Sequence, residues 1–297
     1  MSDTLQEVTM ECDSRAHSYN LGIIFHDEKS IGITHPFFSV VLNAFKNEAE
    51  ANGFDVTFIN HEISGEKMSY LEHCRYRKVD GVCLVCIDFS DKEVQELVES
   101  EIPCVTIDHR FKKVAAVFSD NENGVNMLVD HAVSLGHKRI AFIHGHNNSI
   151  VTTTRIKQFQ SAMQYHGLPI PKEYLQSGLY NDIELTRKIV IRLLRLPEPP
   201  TCILLPDDYC YFGAQDAARK LELRIPEDIS FAGYDGISLT QSLSPALTTI
   251  HQDCLALGTE SARKLVSLIE YPDKKINRVS IFPVKLIQGG TITEARV

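Results

Sequence analysis

The sequence predicts an α/β protein built on two doubly wound parallel sheets. Short runs that are apolar throughout alternate with amphipathic stretches of helical period along nearly the whole chain. Strands with no polar face belong in parallel sheets covered by helices on both sides. About ten such runs occur, many for one sheet, and 297 residues suffice for one large domain or two lobes.

Residues 1–20 are polar and aperiodic and read as a tail or linker, too short for a helix-turn-helix domain. Leu21-Gly22-Ile23-Ile24-Phe25 is the first strand. Phe38, Val41, Leu42, Phe45 and Ala49 then recur at helical spacing until Gly53 stops the helix. A strand is expected at 54–59, a weaker helix at 65–77, a buried strand at 81–87 and a helix at 91–100. Strands at 104–107 and 115–118, a helix ending at Gly136 and a strand at 139–143 continue the rhythm. Helices at 155–166, 184–195, 211–222 and 254–270 alternate with strands at 175–178, 202–205, 229–232 and 247–251, and an extended stretch over 278–287 closes the chain. There is no repeat of solenoid period and no low-complexity tract.

The composition, 43% hydrophobic and 23% charged, is that of a globular protein. Thirty Lys and Arg against thirty-nine Asp and Glu give a net charge of −9. That is the opposite of the electropositive footprint a phosphate backbone requires, so any grip on DNA is expected outside this chain. No apolar run approaches the roughly 18 residues of a membrane span, and the N-terminus lacks the basic start and apolar core of a secretory signal. The eight cysteines, Cys12, Cys74, Cys83, Cys86, Cys104, Cys202, Cys210 and Cys254, are scattered as thiols of a reducing compartment are, which points to the cytoplasm.

Cys83-x-x-Cys86 lies inside a predicted strand, where side chains three apart face opposite ways, and reads as inert buried thiols. His144-x-His146 reads as a polar loop, since no further pair shows metal-ligand spacing. The glycine-rich phosphate loop, the dinucleotide fingerprint after the first strand, Gly-x-Ser-x-Gly and His-Glu-x-x-His are all missing. No cofactor, metal or catalytic activity is therefore expected.

Ligands of such sheets sit beyond the carboxyl ends of the strands. There the sequence gathers the carboxylates Asp88, Asp108, Asp120, Asp207, Asp208 and Asp235, the aromatics Phe37, Phe38 and Tyr180, the amide Gln252, and Arg155, placed at the opening of a helix. Hydroxyls both donate and accept, so carboxylates, amides and a guanidinium fork can hold them in fixed geometry. Aromatic faces pack on the C–H face of a pyranose. Acids outnumbering one arginine favour a neutral polyhydroxy ligand over a phosphate. Plainer roles compete: Asp120 and Asp208 as helix caps, and Phe38 as ordinary core.

The segments His35-Pro36-Phe37-Phe38, Val79-Asp80-Gly81, Ile102-Pro103-Cys104-Val105, Ser119-Asp120-Asn121, Leu135-Gly136-His137-Lys138-Arg139-Ile140-Ala141, Ile225-Pro226-Glu227-Asp228-Ile229-Ser230, Gly233-Tyr234-Asp235 and Leu247-Thr248-Thr249-Ile250-His251-Gln252 occur in this order. Over about residues 21–293 the ordered set resembles the effector-binding core of the LacI/GalR family of bacterial transcription regulators. The resemblance implies a periplasmic-binding-protein type I fold. Two lobes, 21–119 with 253–282 and 120–252 with 283–297, would be joined by three crossovers near 119–120, 252–253 and 282–283. It also implies that Phe37, Phe38, Asp108, Arg155, Tyr180, Asp207, Asp235 and Gln252 hold a small-molecule effector, a neutral mono- or disaccharide, in the cleft between lobes. A homodimer is expected, with helices near 38–52 and 65–77 as contact surface, and operator DNA only through a helix-turn-helix head that residues 1–20 do not match.

The chain departs from the family pattern where Asp207 replaces an usual Asn, Gln158 a small Gly, and Gly236 an Asp or Asn. Two other readings compete with the regulator. A solute-binding protein would be an exported monomer, against which the missing signal and the many thiols count. A sugar hydrolase would need an acid–base carboxylate pair within reach of a cleavable substrate.

Overall fold

The computed structural model describes residues 17–26, 32–63, 65–146, 149–273, 275 and 277–296. Its strands are β1 (Asn20–Phe25), β2 (Asp55–Phe58), β3 (Glu62–Ile63), β4 (Glu66–Lys67), β5 (Gly81–Val85), β6 (Cys104–Ile107), β7 (Ala115–Ser119), β8 (Ile140–His144), β9 (Leu175–Ser177), β10 (Cys202–Leu204), β11 (Ser230–Asp235), β12 (Thr248–His251), β13 (Val279–Phe282) and β14 (Lys285–Ile287). Its helices are α1 (Pro36–Ala51), α2 (Tyr70–Tyr76), α3 (Lys92–Glu99), α4 (Asn121–Ser134), α5 (Ile150–Tyr165), α6 (Ile183–Leu194), α7 (Cys210–Lys220), α8 (Ser238–Gln241) and α9 (Cys254–Glu270).

Two six-stranded sheets result, in the orders β13-β7-β6-β5-β1-β2 and β14-β12-β11-β10-β8-β9. All pairs within them are parallel except β12–β14, which is antiparallel. The chain leaves the first sheet after β7, returns to it after β12, and crosses again between β13 and β14.

The continuous apolar strands follow from burial on both faces. In β5, Cys83 and Val85 join the cluster built from α1 and α9, while Val82 and Leu84 join the one built from α2 and α3. The second sheet repeats this: Phe142 of β8 packs toward α4 and α5, and Ala141 and Ile143 toward α6 and α7. Each fully buried Val, Leu, Ile or Phe side chain contributes about 1.5–3 kcal/mol, so a polar residue at any of these positions would break the layer.

Local chemistry sets several element boundaries apart from the periodicity. The first sixteen residues of the expected tail lie outside the described residues. Residues 17–20 are not tail: the Ser18 and Asn20 backbone N–H groups donate to Asp80, and β1 starts at Asn20. The helix expected over 65–77 begins only at Tyr70, where Ser69 and Glu72 form a reciprocal capping box, and a short β3–β4 hairpin precedes it. Helix α5 opens at Ile150 under a Ser149 cap, so Arg155 sits in its second turn and not at its start. The β-branched run Val151–Thr154 hid that first turn from a reading by helix propensity. β11 extends to Asp235, beyond the expected 229–232. The stretch 278–287 is two strands, one in each sheet. Cys86 lies past the end of β5 at φ +50° and packs beside the same cluster as Cys83, so the two thiols do not face opposite ways.

Helices α1 and α9 cross at the closest approach permitted by Gly258. A Cβ there would fall 2.1 Å from the Val41 carbonyl oxygen. Gly258→Ala is therefore expected to lower the urea midpoint of unfolding by the equivalent of about 1–3 kcal/mol, measured by circular dichroism. An unchanged midpoint would show that the helices can separate without loss.

Candidate functional site

The carboxyl ends of both sheets open onto one cavity of about 410 Å³. Turns at strand ends deliver most of its side chains. The first sheet supplies Phe37 and Phe38 after β1, Asp88 and Phe89 after β5, and Asp108 and His109 after β6; the second supplies Arg155, Tyr180, Asp207, Asp235 and Gln252. The eight residues expected to hold a ligand all line this cavity. Four of the lining residues, Cys86, Asp108, Asn181 and Asp235, have positive φ, at 50°, 60°, 58° and 115°. Non-glycine residues in that region cost about 1–2 kcal/mol each, and such strain gathers where side chains must be re-aimed.

Phe37 and Phe38 stand in the first turn of α1. Pro36 opens this helix and His35 caps it, its Nδ1 accepting the Phe37 N–H at 3.2 Å. Phe38 meets Phe25 edge-on at 5.1 Å between centroids. Arg155 is buried. Its Nε donates to Asn121 Oδ1 at 2.8 Å, its Nη1 donates to the Pro206 carbonyl at 3.2 Å, and its guanidinium lies 3.4 Å from the centroid of the Tyr234 ring. Tyr180 pairs its hydroxyl with Thr152 Oγ1 at 2.8 Å, and its ring fills the space that a Cβ on Gly145 would occupy.

The carboxylates divide by role. Asp207 accepts the Asn181 N–H at 2.7 Å and the Cys210 N–H at 2.9 Å, so one carboxyl serves two backbone donors at once. Asp208 faces away from the cavity. It accepts from the Ile237 N–H, Thr240 Oγ1 and Thr249 Oγ1, and so ties β10 to α8 and β12 rather than capping α7. Asp120 does cap a helix, accepting the Asn123 N–H at the start of α4. Asp235 accepts from Gln252 Nε2 at 2.7 Å. Asp108 Oδ1 and Gln252 Oε1 are buried without a hydrogen-bond partner.

Sequence reasoning missed His35, Asn181, Phe89 and His109. His35 Nε2 meets Asn181 Oδ1 at 2.7 Å, a hydrogen bond that spans the cavity from one sheet's side to the other's. Phe89 and His109 stack face to face, 4.1 Å apart and 7° from parallel. The strand-end rule, applied to every residue after β5 and β6, would have found the stacked pair; nothing local in the sequence marks Asn181 as a partner of His35. His144 is buried in β8, whereas His146 lines the cavity. Among the described residues no group of three His, Cys, Asp or Glu is placed to hold a metal ion.

Burial dominates the electrostatics. It pushes Asp108 up to about 6, with Arg155 and the Ser119 N–H acting the other way. It raises Asp208 to about 7 against its three donors, and raises Asp207 and Asp235 as well. The folded chain therefore holds these protons to higher pH than the unfolded chain, whose Asp residues titrate near 3.9. The stability they contribute is full below about pH 4 and is lost as pH rises through the folded values. Between pH 5 and pH 7.5 these carboxyls therefore lower the melting temperature as pH rises, while His109, His131 and His137, pushed down by burial, act against them. In Asp108→Asn that lowering should shrink by about 1 kcal/mol, or about 2–4 °C in Tm; an equal change with pH in both proteins would count against the Asp108 shift.

The family described as periplasmic binding protein-like domain matches residues 129–292, more than half of the chain. The HTH-type transcriptional repressor PurR of Haemophilus influenzae is 29% identical over 271 residues, covering 88% of this chain and 80% of its own length. A LacI-family regulatory protein from Chloroflexus aggregans superposes with a TM-score of 0.82 at 25% identity, over 92% of this chain and 98% of its own. A LacI-family transcriptional regulator from Enterococcus faecium, solved with bound ribose, gives 0.81 at 26% identity, over 93% of this chain and 100% of its own. By fold, family match and named relatives, the chain belongs to the periplasmic-binding-protein-like family, as the effector-binding core of a LacI-type transcriptional regulator and not an enzyme.

Proposed function

We propose that the chain senses a mono- or disaccharide in the cavity between its sheets, and that Phe37, Phe38, Asp108, Arg155, Tyr180, Asp207, Asp235 and Gln252 hold it. The observation that carries this reading is their convergence on one cavity that mixes aromatic faces with carboxylate, amide and guanidinium groups. Aromatic rings suit the apolar face of a sugar, and the polar groups suit its hydroxyls. Among the described residues four aspartates and one arginine line the cavity, which argues for a ligand without negative charge. The Enterococcus regulator's bound ribose supports the same class.

In this reading the lobes 21–119 with 253–282 and 120–252 with 283–297 close on the ligand. Closure shifts a two-state equilibrium by the ligand's differential affinity for the closed form. Two subunits act together as a homodimer, with α1 and α2 as first candidates for contact; Val40 and Tyr76 on these helices are solvent-exposed. DNA is met through a helix-turn-helix head and not by this core, whose net charge is −9, and the cytoplasm is the compartment of such a regulator.

A thermal-shift screen against neutral mono- and disaccharides, with purines and sugar phosphates as controls, tests the reading. A ligand at 100 times its Kd stabilises the fold by about 2.7 kcal/mol, a shift of a few degrees. Arg155→Ala and Asp235→Ala should each abolish it. A hit among purines or phosphates with none among sugars overturns the sugar class and leaves the regulator fold in place.

A further inference from the structure

Three acceptor groups line the crossover side of the cavity, and two of them carry a buried oxygen that no donor serves. Asp108 follows β6, Asp235 ends β11, and Gln252 follows β12. Both Asp108 and Asp235 act electrostatically on Arg155, Tyr234 and Cys254. Gln252, 3% exposed, turns its amide nitrogen to Asp235. Its Oε1 is thereby aimed elsewhere, and it is buried without a partner, as is Asp108 Oδ1. A buried acceptor left unpaired is costly, so a site that keeps two of them is shaped for a donor that arrives with the ligand.

The resident cation does not fill that role. Among the described residues Arg155 is the one Lys or Arg lining the cavity, and the two hydrogen bonds it makes go to Asn121 and the Pro206 carbonyl while it lies on the Tyr234 face. It donates to neither aspartate. Asp88 and Asp207 add further negative charge to the same walls. A sugar hydroxyl would bring one proton and no charge. An ammonium group brings three N–H donors and a positive charge, which matches three acceptors and the excess of acid. Resting on the sugar-sensing reading above, we infer that the effector is an amino sugar whose ammonium group is held by Asp108, Asp235 and Gln252. Burial leaves both carboxyls ready to hold a proton, and the ammonium takes that proton's place.

Isothermal titration at pH 7 with matched series provides the test: glucosamine, galactosamine and mannosamine, each beside its parent hexose and its N-acetyl derivative. One amine is expected to bind about 10- to 100-fold tighter than both of its neutral counterparts, as charge-assisted hydrogen bonds over neutral ones imply. In Asp108→Asn the ratio of amine to parent affinity should fall to near one. If parent or N-acetyl sugars bind as tightly as the amines in every series, the ammonium inference is overturned and the sugar reading stands. If no member of any series binds, the ammonium inference is overturned, and the sugar reading is decided separately by the thermal-shift screen of mono- and disaccharides. The comparison within the unmutated protein decides the matter even if the variant does not fold.

Discussion

A single buried guanidinium organises the ligand side of the second sheet. Taking a charge out of water costs several kcal/mol even after relaxation, so Arg155 can sit in this interior only if its surroundings are built for it. Asn121 comes from the first turn of α4, the Pro206 carbonyl from the end of β10, and the Tyr234 ring from β11. Three elements besides its own helix are thereby fixed relative to one another. Gly124 completes the arrangement: a Cβ there would lie 2.3 Å from the Tyr234 hydroxyl, so α4 needs glycine at this point to lie against the ring that faces the cation. The aspartates nearby are then held close to a charge they do not touch.

The fold was legible because its signal is redundant. Apolar strands such as 21–25 and 104–107 and stripes such as Val41, Leu42, Phe45 and Ala49 each carry the same message, and sheets buried on both faces leave few alternatives. What escaped was local. The first turn of α5 is written in β-branched residues and a serine cap, and the β3–β4 hairpin is two residues a side. The break at Phe282–Pro283, which divides one extended run between two sheets, is marked by the family resemblance and not by periodicity.

The cavity walls were readable for a related reason. In parallel sheets the ends of the strands open on the ligand side, so Asp108, Asp207, Asp235 and Gln252 follow from strand positions, although Asp120 and Asp208, gathered by the same rule, turn to a helix cap and to α8 instead. Partnership was not readable. That Asp207 would serve two backbone N–H groups, that Asp208 would turn to α8, and that His35 would meet Asn181 are facts of three-dimensional register between segments far apart in the chain.

On the sensing reading, the hydrogen bond between His35 and Asn181 would give the regulator a set point. It is made by the chain's own side chains, and a hydrogen bond of this kind contributes about 0.5–1.5 kcal/mol net, enough to change the ratio of closed to open forms by about two- to tenfold. On the sensing reading, part of the closure is supplied in advance by the protein. Sensitivity and leakiness then rise together: a stronger bridge answers scarcer sugar, and leaves less contrast between the silent and the responding state.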